Sequence, residues 1–276
     1  MEKIEILNVG ITNASKSRIL EYIMSLVKKK EGKCIIVTPN PEIIIYAQKH
    51  QDFRKILNEA TIALPDGIGL TLAGKLLNTP LSERITGTDM MEMLCSLASK
   101  HAITVGFLGA KGKIAEKAAK CLQEQYDGLI VLLAESGEQS GDTAVELSKR
   151  LKKGISPLQL AETDALDRYN MISSDNKSHA KVFDHIDLLF VAFGFPKQEE
   201  WMHSYLASIP VSVAIGVGGA FDYISKSVPR APKFIRDMGF EWLFRLLAQP
   251  WRIRRQVALI EFLYLILKER FSQKYV

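Results

Sequence analysis

Six short runs of apolar residues, separated by longer stretches with helical periodicity, constrain the fold of this chain most strongly. The clearest run is Ile186–Phe193, which is apolar almost throughout. Continuous apolar strands are typical of a sheet that is buried on both faces, and strands separated by helices of ten or more residues form βαβ units. The predicted strands are Lys33–Thr38, Thr61–Leu64, Ile103–Leu108, Leu129–Leu133, Ile186–Phe193 and Val211–Val217.

The segments between these strands predict helices, so that the expected fold is α/β: a Rossmann-like, mostly parallel sheet flanked by helices. We expect this domain to span residues 1–238. Residues 135–185 interrupt the alternation with a long polar stretch, and from Gly239 onward the pattern is helical and basic without further strands, which predicts a helical appendage at 239–276. The predicted helices are Pro41–Ala60, Ile68–Leu77, a helix capped by Thr88 or Asp89 and ending near Lys100, a helix from Gly112 to about Tyr126, Asp142–Lys153 and Pro196–Ser208.

The positive charge of the chain is concentrated at its C-terminal end. The net charge of all 276 residues is +5, whereas residues 225–276 hold eleven Lys or Arg and four acids, a net charge of +7. A basic tail on a nearly neutral body indicates an anionic partner such as phosphate, nucleic acid or a membrane surface. A solvated charged face is the alternative.

The tail also alternates its cations with large apolar residues, from Phe240 and Trp242 to Trp251 and Ile266. A basic amphipathic helix with aromatic residues can lie in a membrane interface, where each cation near an anionic leaflet adds about 1 kcal/mol. The alternative is a helix packed on the core or on a partner subunit. No stretch reaches the roughly 20 apolar residues that span a bilayer, since the best candidate, Val257–Leu267, is short and contains Glu261.

The cysteine and histidine residues indicate a reducing compartment and no metal site. Three cysteines without C-x-x-C spacing predict neither a disulfide framework nor a zinc site, and the first residues do not resemble a secretory signal. The five histidines lack ligand spacing, and no Asp-x-Asp pair is present to hold a metal–nucleotide diphosphate. We therefore expect a cytoplasmic protein without a metal or other cofactor, whose cations neutralise any phosphate leaving group.

Polar residues follow the first two strong strands, at the edge where ligands of parallel sheets bind. Thr38, Asn40 and Glu42 offer hydroxyl, amide and carboxylate groups to a polyhydroxy ligand, although Asn40 before Pro41 can equally cap a helix. Asp66, in Pro65-Asp66-Gly67, is placed to act as a general base on an attacking hydroxyl, but the same three residues can form a simple turn.

Three further loops carry candidate residues. Arg84, near Gly87-Thr88-Asp89, can pair with an anion or form a surface salt bridge. The glycines in Gly194-Phe-Pro-Lys-Gln198-Glu199 and Gly216-Val-Gly-Gly-Ala-Phe-Asp222 let the backbone approach a ligand and offer N–H groups to phosphate. The second loop does not match G-x-G-x-x-G and no P-loop is present, so that the sequence does not predict a dinucleotide site of those types.

In order, these loops resemble those of the WecG/TagA/CpsF glycosyltransferases over roughly residues 33–255, apart from 135–185. The matching motifs are Thr38-Pro-Asn-x-Glu42, Pro65-Asp66-Gly67, Arg84-x-x-Gly87-x-Asp89, Phe107-Leu-Gly109, Phe193-Gly-x-Pro-Lys-Gln198-Glu199-x-Trp201, Gly216-Val-Gly-Gly-x-Phe-Asp222, Arg230-Ala-Pro232 and Gly239-x-Glu-Trp242-Leu-x-Arg245-x3-Gln-Pro250-x-Arg252.

The resemblance implies an inverting, metal-independent transfer of a sugar from a UDP-sugar donor to a lipid-linked acceptor. Many such enzymes transfer N-acetylmannosamine to N-acetylglucosamine on undecaprenyl diphosphate, for teichoic acid, enterobacterial common antigen or capsule. It further implies that Asp66 is the general base, that Thr38, Asn40, Arg84 and Gln198 hold sugar and acceptor, and that Arg245, Arg252 and Arg255 steady the departing diphosphate. The remaining expected substrate-binding residues are Glu42, Gly67, Asp89, Gly194, Lys197, Gly216, Gly218, Gly219 and Asp222.

The expected partners are a UDP-sugar, a polyprenyl-diphosphate-linked sugar and the anionic inner face of the cell membrane, with a homo-oligomer left open. Within the same family, a transferase with another UDP-hexose donor is an alternative. Two other function classes also remain as alternatives. A non-catalytic nucleotide or polyanion binder would use the same loops and tail. Nucleic-acid binding through the tail has no recognised motif to support it.

Overall fold

The computed structural model confirms an α/β fold with a parallel sheet flanked by helices. It describes residues 1–29, 32–137, 139–158 and 183–272. The chain divides into two compact units, which share it discontinuously. The first unit comprises residues 1–19, 37–86 and 229–276, and the second comprises residues 20–36 and 87–228.

All six predicted strands are confirmed, and they form one sheet. The strands of the structure are β1 (Lys3–Ile6), β2 (Val9–Thr12), β3 (Cys34–Val37), β4 (Ile62–Ala63), β5 (Thr104–Gly109), β6 (Ile130–Glu135), β7 (Ile186–Ala192) and β8 (Val211–Gly216). The six-stranded sheet has the order β4-β3-β8-β7-β5-β6, with parallel pairing of β3 to β8, β8 to β7, β7 to β5 and β5 to β6. Every residue of β7 and β8 is buried, as their apolar runs predict.

The helices follow the predicted alternation with the strands. They are α1 (Lys16–Lys29), α2 (Pro41–Lys49), α3 (Gln51–Glu59), α4 (Ile68–Leu76), α5 (Gly87–His101), α6 (Ile114–Gln125), α7 (Gly141–Lys153), α8 (Lys197–Tyr205), α9 (Ala220–Ile224), α10 (Lys233–Asp237), α11 (Glu241–Ala248) and α12 (Ile253–Ser272). Two short 3-10 turns, Leu206–Ser208 and Pro250–Arg252, follow α8 and α11.

The predicted single helix Pro41–Ala60 is wrong, because the chain breaks at His50. This residue has extended backbone angles (φ −131°, ψ 93°), so it ends α2 and precedes α3. Its ring stacks on Tyr46 with centroids 3.8 Å apart, and its Nδ1 lies 2.9 Å from the Tyr46 carbonyl oxygen. These local contacts hold the break between two helices whose apolar faces are otherwise continuous in sequence.

Before the predicted strands, the structure contains an antiparallel hairpin that the sequence analysis does not predict. Strands β1 and β2 pair through a turn at Leu7 and Asn8, both with positive φ, and α1 follows. In the first unit, Asn58 ties α3 to this hairpin: its Oδ1 accepts from the Gly10 amide at 2.9 Å, and its Nδ2 donates to the Asn8 carbonyl at 3.0 Å. The hairpin is thereby an integral part of the first unit.

From Gly239 onward, the described residues form helices and a 3-10 turn and no strand, in agreement with the predicted pattern. These helices belong to the same compact unit as residues 37–86. Helix α12 packs against α2 and α4 and buries Phe262 and Ile266. The domain boundary at residue 239 itself stays a prediction.

Candidate functional site

In the first unit, the loop after β3 presents Thr38 and Asn40 at the carboxyl end of that strand. Thr38 is buried, and Asn40 is half-buried. The Oδ1 atom of Asn40 accepts a hydrogen bond from the Ile43 amide at 3.0 Å, which caps the N-terminus of α2. The capping interpretation of Asn40 is therefore confirmed, and a role in ligand binding would fall to its NH₂ group. Glu42 lies half-buried in the first turn of α2.

Backbone contacts attach the loop of Asp66 to the loop after β3. The Asp66 amide donates to the Pro39 carbonyl at 3.0 Å, and the Leu64 amide donates to the Val37 carbonyl at 2.8 Å. Gly67 then adopts φ +88° and ψ 155°, a region that only glycine enters readily, and α4 begins at the next residue. The half-buried Asp66 side chain thus lies on a short loop with fixed ends. The backbone angles at position 67 explain why a glycine follows Asp66.

Arg84 lies on the segment that joins this loop from the other side. The Ile85 amide donates to the Pro65 carbonyl at 3.1 Å, and the Arg84 guanidinium donates through Nη2 to the backbone carbonyl of Arg236 at 2.6 Å. Arg84 therefore connects the Asp66 loop to the last turn of α10. Neither sequence interpretation of Arg84, an anion partner or a surface salt bridge, foresaw this contact to a carbonyl group.

The C-terminal helices are attached to the same unit by polar and close apolar contacts. A Cβ atom on Gly239 would lie 2.5 Å from Ile68 Cδ1, so α4 and the start of α11 approach each other as only a glycine allows. Arg230 pairs with Glu241 at 3.3 Å, and Lys49 pairs with Glu261 at 2.7 Å. These contacts and the buried residues of α12 confirm that one face of this helix packs on the rest of the first unit, as one of the two interpretations of the tail predicts.

The C-terminal helices also expose many large apolar side chains. The exposed fractions of Leu247, Trp251 and Ile260 are 73%, 72% and 72%. Other exposed members of this surface, called here the C-terminal apolar face, are Phe234, Met238, Phe240, Trp242, Leu243, Ile253, Val257, Leu263, Tyr264, Leu267 and Phe271. Arg245 is half-buried in α11, while the side chains of Arg252 and Arg255 lie outside the described residues. Among the described residues, no helix is long and apolar enough to cross a membrane.

In the second unit, the loops after β7 and β8 meet at the carboxyl ends of these two adjacent strands. Gln198 joins them, since its Oε1 accepts from the Gly218 amide at 3.0 Å. A Cβ atom on Gly216 would lie 2.8 Å from Gln198 Nε2, which explains why the strand ends in glycine. Gly218 itself has φ +53°. The side chain of Gln198, expected to hold sugar and acceptor, is buried and makes both of these contacts inside the protein.

The other expected residues of the second unit lie on the same loops or at a helix start. Gly194 and Gly219 are half-buried, Lys197 is exposed, and Asp222 is half-buried in α9, whose Phe221 packs on Phe107 with ring centroids 5.7 Å apart. Asp89 is half-buried in the first turn of α5. The expected site residues thus fall into one group per compact unit, with Thr38, Asn40, Asp66, Arg84 and Arg245 in the first.

Sequence reasoning gave no role to Glu199, which the structure singles out as a buried acid. The residue is 0% exposed, and burial raises the pKa of its carboxyl from 4.5 to about 7. Its Oε1 accepts from Gln198 Nε2 at 2.8 Å, whereas its Oε2 has no hydrogen-bond partner among the described residues. The available signal in the sequence was Met202, an apolar residue three positions later that shares a helix face with Glu199 and is also buried.

Part of the polar stretch 135–185 is described. Helix α7 matches its predicted range closely, and Ser140 caps it by accepting from the Thr143 amide at 3.2 Å. The Ser140 carbonyl accepts from Trp201 Nε1 at 3.1 Å, which ties this helix start to α8. The predicted exposed loop Ser173–Ser178 lies outside the described residues.

Comparisons with known proteins agree with the loop motifs. A family model described as "Glycosyl transferase WecG/TagA/CpsF family" matches residues 4–275. A Bacillus spizizenii protein is 31% identical over 87% of this chain and 81% of its own length, and a Bacillus subtilis protein is 27% identical over 97% and 92%. A Staphylococcus aureus protein is 29% identical over 97% and 93%. All three are named N-acetylglucosaminyldiphosphoundecaprenol N-acetyl-beta-D-mannosaminyltransferase.

Proposed function

Because the chain belongs to the WecG/TagA/CpsF family of glycosyltransferases, we propose that it transfers N-acetylmannosamine from its UDP form to N-acetylglucosamine on undecaprenyl diphosphate. The observation that carries this proposal is the match to three relatives with that name over 87% to 97% of the chain. The product is an intermediate of a cell-surface polymer such as teichoic acid.

The proposed reaction is a single displacement at the anomeric carbon. Asp66 accepts the proton of the acceptor hydroxyl as the hydroxyl oxygen bonds to that carbon. The bond from the carbon to the β-phosphate oxygen breaks, its electron pair leaves with UDP, and the configuration at the carbon inverts. A loop whose backbone is hydrogen-bonded at Leu64, Pro65 and Asp66 suits a general base, because the carboxylate need not be ordered at the moment of reaction.

The cations of the C-terminal helices would neutralise the charge that develops on the departing diphosphate. We assign this role to Arg245, Arg252 and Arg255, and the expectation of a metal-independent reaction remains part of the proposal. The Gly216–Gly219 loop would approach the nucleotide with backbone N–H groups. Thr38 and the NH₂ group of Asn40 would orient the sugars. Arg84 would hold the Asp66 loop in place against the last turn of α10.

The C-terminal apolar face would bring the enzyme to its lipid-linked acceptor. An exposed apolar surface of this extent on helices that also carry most of the net positive charge fits an interfacial position on an anionic leaflet. In this proposal the enzyme works as a peripheral protein at the cytoplasmic face of the membrane, where both the nucleotide donor and the carrier lipid are accessible.

A donor panel tests the proposed function. Purified full-length protein is given a short-chain, lipid-linked N-acetylglucosamine diphosphate with each of several UDP-sugars, and UDP release is followed with and without the acceptor. We expect acceptor-dependent release with UDP-N-acetylmannosamine and a β-linked disaccharide by NMR. Equal or faster turnover with another UDP-hexose would mean that this sugar, and not N-acetylmannosamine, is the donor sugar. A protein that binds UDP but releases none from any UDP-sugar, with or without the acceptor, would be a non-catalytic nucleotide binder.

A further inference from the structure

The buried carboxylate of Glu199 has no explanation in the fold of its own helix. An acid in the first turn of a helix interacts favourably with the helix dipole, but the adjacent Glu200 provides such a charge from a half-buried position. Glu199 instead lies fully buried, which disfavours its charged form, and one of its oxygens has no hydrogen-bond partner in the part of the chain that the structure describes. Such a residue points to a function outside local stability.

The contact that Glu199 does make fixes the orientation of a side-chain amide. An amide presents a donor on one side and an acceptor on the other, and rotation by 180° exchanges them. Glu199 Oε1 accepts from the NH₂ group of Gln198 at 2.8 Å, and it can do so in either protonation state, because the proton of a neutral carboxyl group can lie on Oε2. The Gln198 oxygen is then directed to the opposite side, where it accepts from the Gly218 amide at 3.0 Å.

Gly218 lies in the middle of the Gly216–Gly219 loop, and Gln198 is also in close contact with the start of that loop. The Gln198 side chain lies so close to Gly216 that a Cβ atom there would be 2.8 Å from Gln198 Nε2. The Val217 amide holds the same loop to the end of β7 by donating to the Val191 carbonyl at 2.9 Å. The chain of contacts from Glu199 through Gln198 to Gly218 therefore sets the backbone of the loop from one side.

We propose that Glu199 is a positioning residue for the donor nucleotide, which acts by fixing the Gln198 amide so that the Gly216–Gly219 loop is held in its nucleotide-binding conformation. This inference rests on the proposed function, in which that loop binds UDP. Glu199 itself is too deeply buried to contact the nucleotide. Its effect on the reaction passes through the loop and should appear in donor affinity.

Replacement of Glu199 by glutamine exchanges one carboxyl oxygen for an NH₂ group at almost constant shape. The new amide can turn its own NH₂ group toward Gln198, whose amide then flips and presents its NH₂ group to the Gly218 N–H. Loss of that hydrogen bond should weaken UDP binding by calorimetry and raise KM for the UDP-sugar about threefold to tenfold, with a smaller change in kcat. The matched control Glu200→Gln should change neither value, since Glu200 has no contact to Gln198 or Gly218 among the described hydrogen bonds.

A swapped pair separates this role from a purely structural one. In Gln198→Glu/Glu199→Gln, the carboxylate at position 198 can accept both from the Gly218 amide and from the new Gln side chain. We expect UDP affinity within about twofold of the wild type, a coupling that independent sites would not show. A structural role would instead lower thermal stability and the active fraction together, and leave KM unchanged.

Wild-type UDP binding and turnover report on the proposed function, and only the differences among variants report on Glu199. Unchanged affinity and KM in Glu199→Gln would overturn the inference and leave the transferase proposal intact. A wild-type protein that binds no UDP would contradict both the inference on Glu199 and the transferase proposal. Should Glu199→Gln fail to fold, the swapped variant decides: wild-type affinity supports the inference, and a folded variant with weakened affinity contradicts it.

Discussion

Helix α12 offers a direct test of how the C-terminal helices are used, because its two faces have opposite environments. Phe262 is 3% exposed, on a helix that packs against α2 and α4, whereas Ile260, two positions earlier, is 72% exposed. If one face holds the helix to the first unit and the other meets a membrane, substitutions on the two faces should affect different properties.

Phe262→Ala should reduce the free energy of unfolding by about 3 to 5 kcal/mol, because it removes a buried ring and leaves a cavity. For a chain of this size, 1 kcal/mol corresponds to a shift of roughly 2 to 4 °C, so the melting temperature should fall by about 10 °C. Ile260→Ser, at an exposed position, should leave the free energy of unfolding within about 0.5 kcal/mol of the wild type.

The second assay is sedimentation with vesicles of phosphatidylglycerol and phosphatidylcholine. Ile260→Ser, especially combined with Leu247→Ser and Trp251→Ser, should reduce vesicle binding while the melting temperature stays constant. Equal melting temperatures for Phe262→Ala and the wild type would refute the described packing of α12. Undiminished vesicle binding by the triple serine variant would refute the role of the C-terminal apolar face.

Two further predictions concern single residues of the loops. Gly67→Ala should destabilise the protein by about 1 to 3 kcal/mol in thermal unfolding, because φ +88° with ψ 155° is unfavourable for any side chain; a melting temperature equal to the wild type would contradict the described backbone. Glu199, whose pKa rises in the folded state from 4.5 to about 7, binds more protons folded than unfolded between these values, so its contribution to stability is lost as pH rises from about 4.5 through 7. The melting temperature of Glu199→Gln should therefore rise relative to that of the wild type between pH 5 and pH 8, and a constant difference between the two would contradict the raised pKa.

The parts of the fold that follow from local pattern were predictable from sequence. Strands such as β7 need only a continuous apolar run, and the Asn40 cap follows from a residue with a short side-chain oxygen placed before Pro41. The break at His50 was not predictable in this way, because the apolar periodicity continues across it and the break is held by contacts with Tyr46. The hairpin β1–β2 was missed because four-residue strands carry too few positions to establish an alternation.

For the candidate site, the sequence indicated which loops carry polar residues, but not how their side chains are used. Arg84 was interpreted through its charge, whereas its described contact is with a backbone carbonyl of a segment about 150 positions later in the chain. The burial of Glu199 likewise depends on the packing of α8 and on the position of Gln198 relative to the β8 loop. Such contacts between distant segments leave no periodic signal in the sequence.

The central claim, that Asp66 is the base of a sugar transfer, is tested most directly by single-turnover kinetics of Asp66→Asn. The variant and the control Asp52→Asn, at an exposed position of α3, are compared with UDP-N-acetylmannosamine and lipid-linked N-acetylglucosamine. With melting temperatures equal to the wild type, we expect Asp66→Asn to lose about 100-fold or more in rate and Asp52→Asn to remain fully active. A folded Asp66→Asn protein that turns over at nearly the wild-type rate would contradict the account.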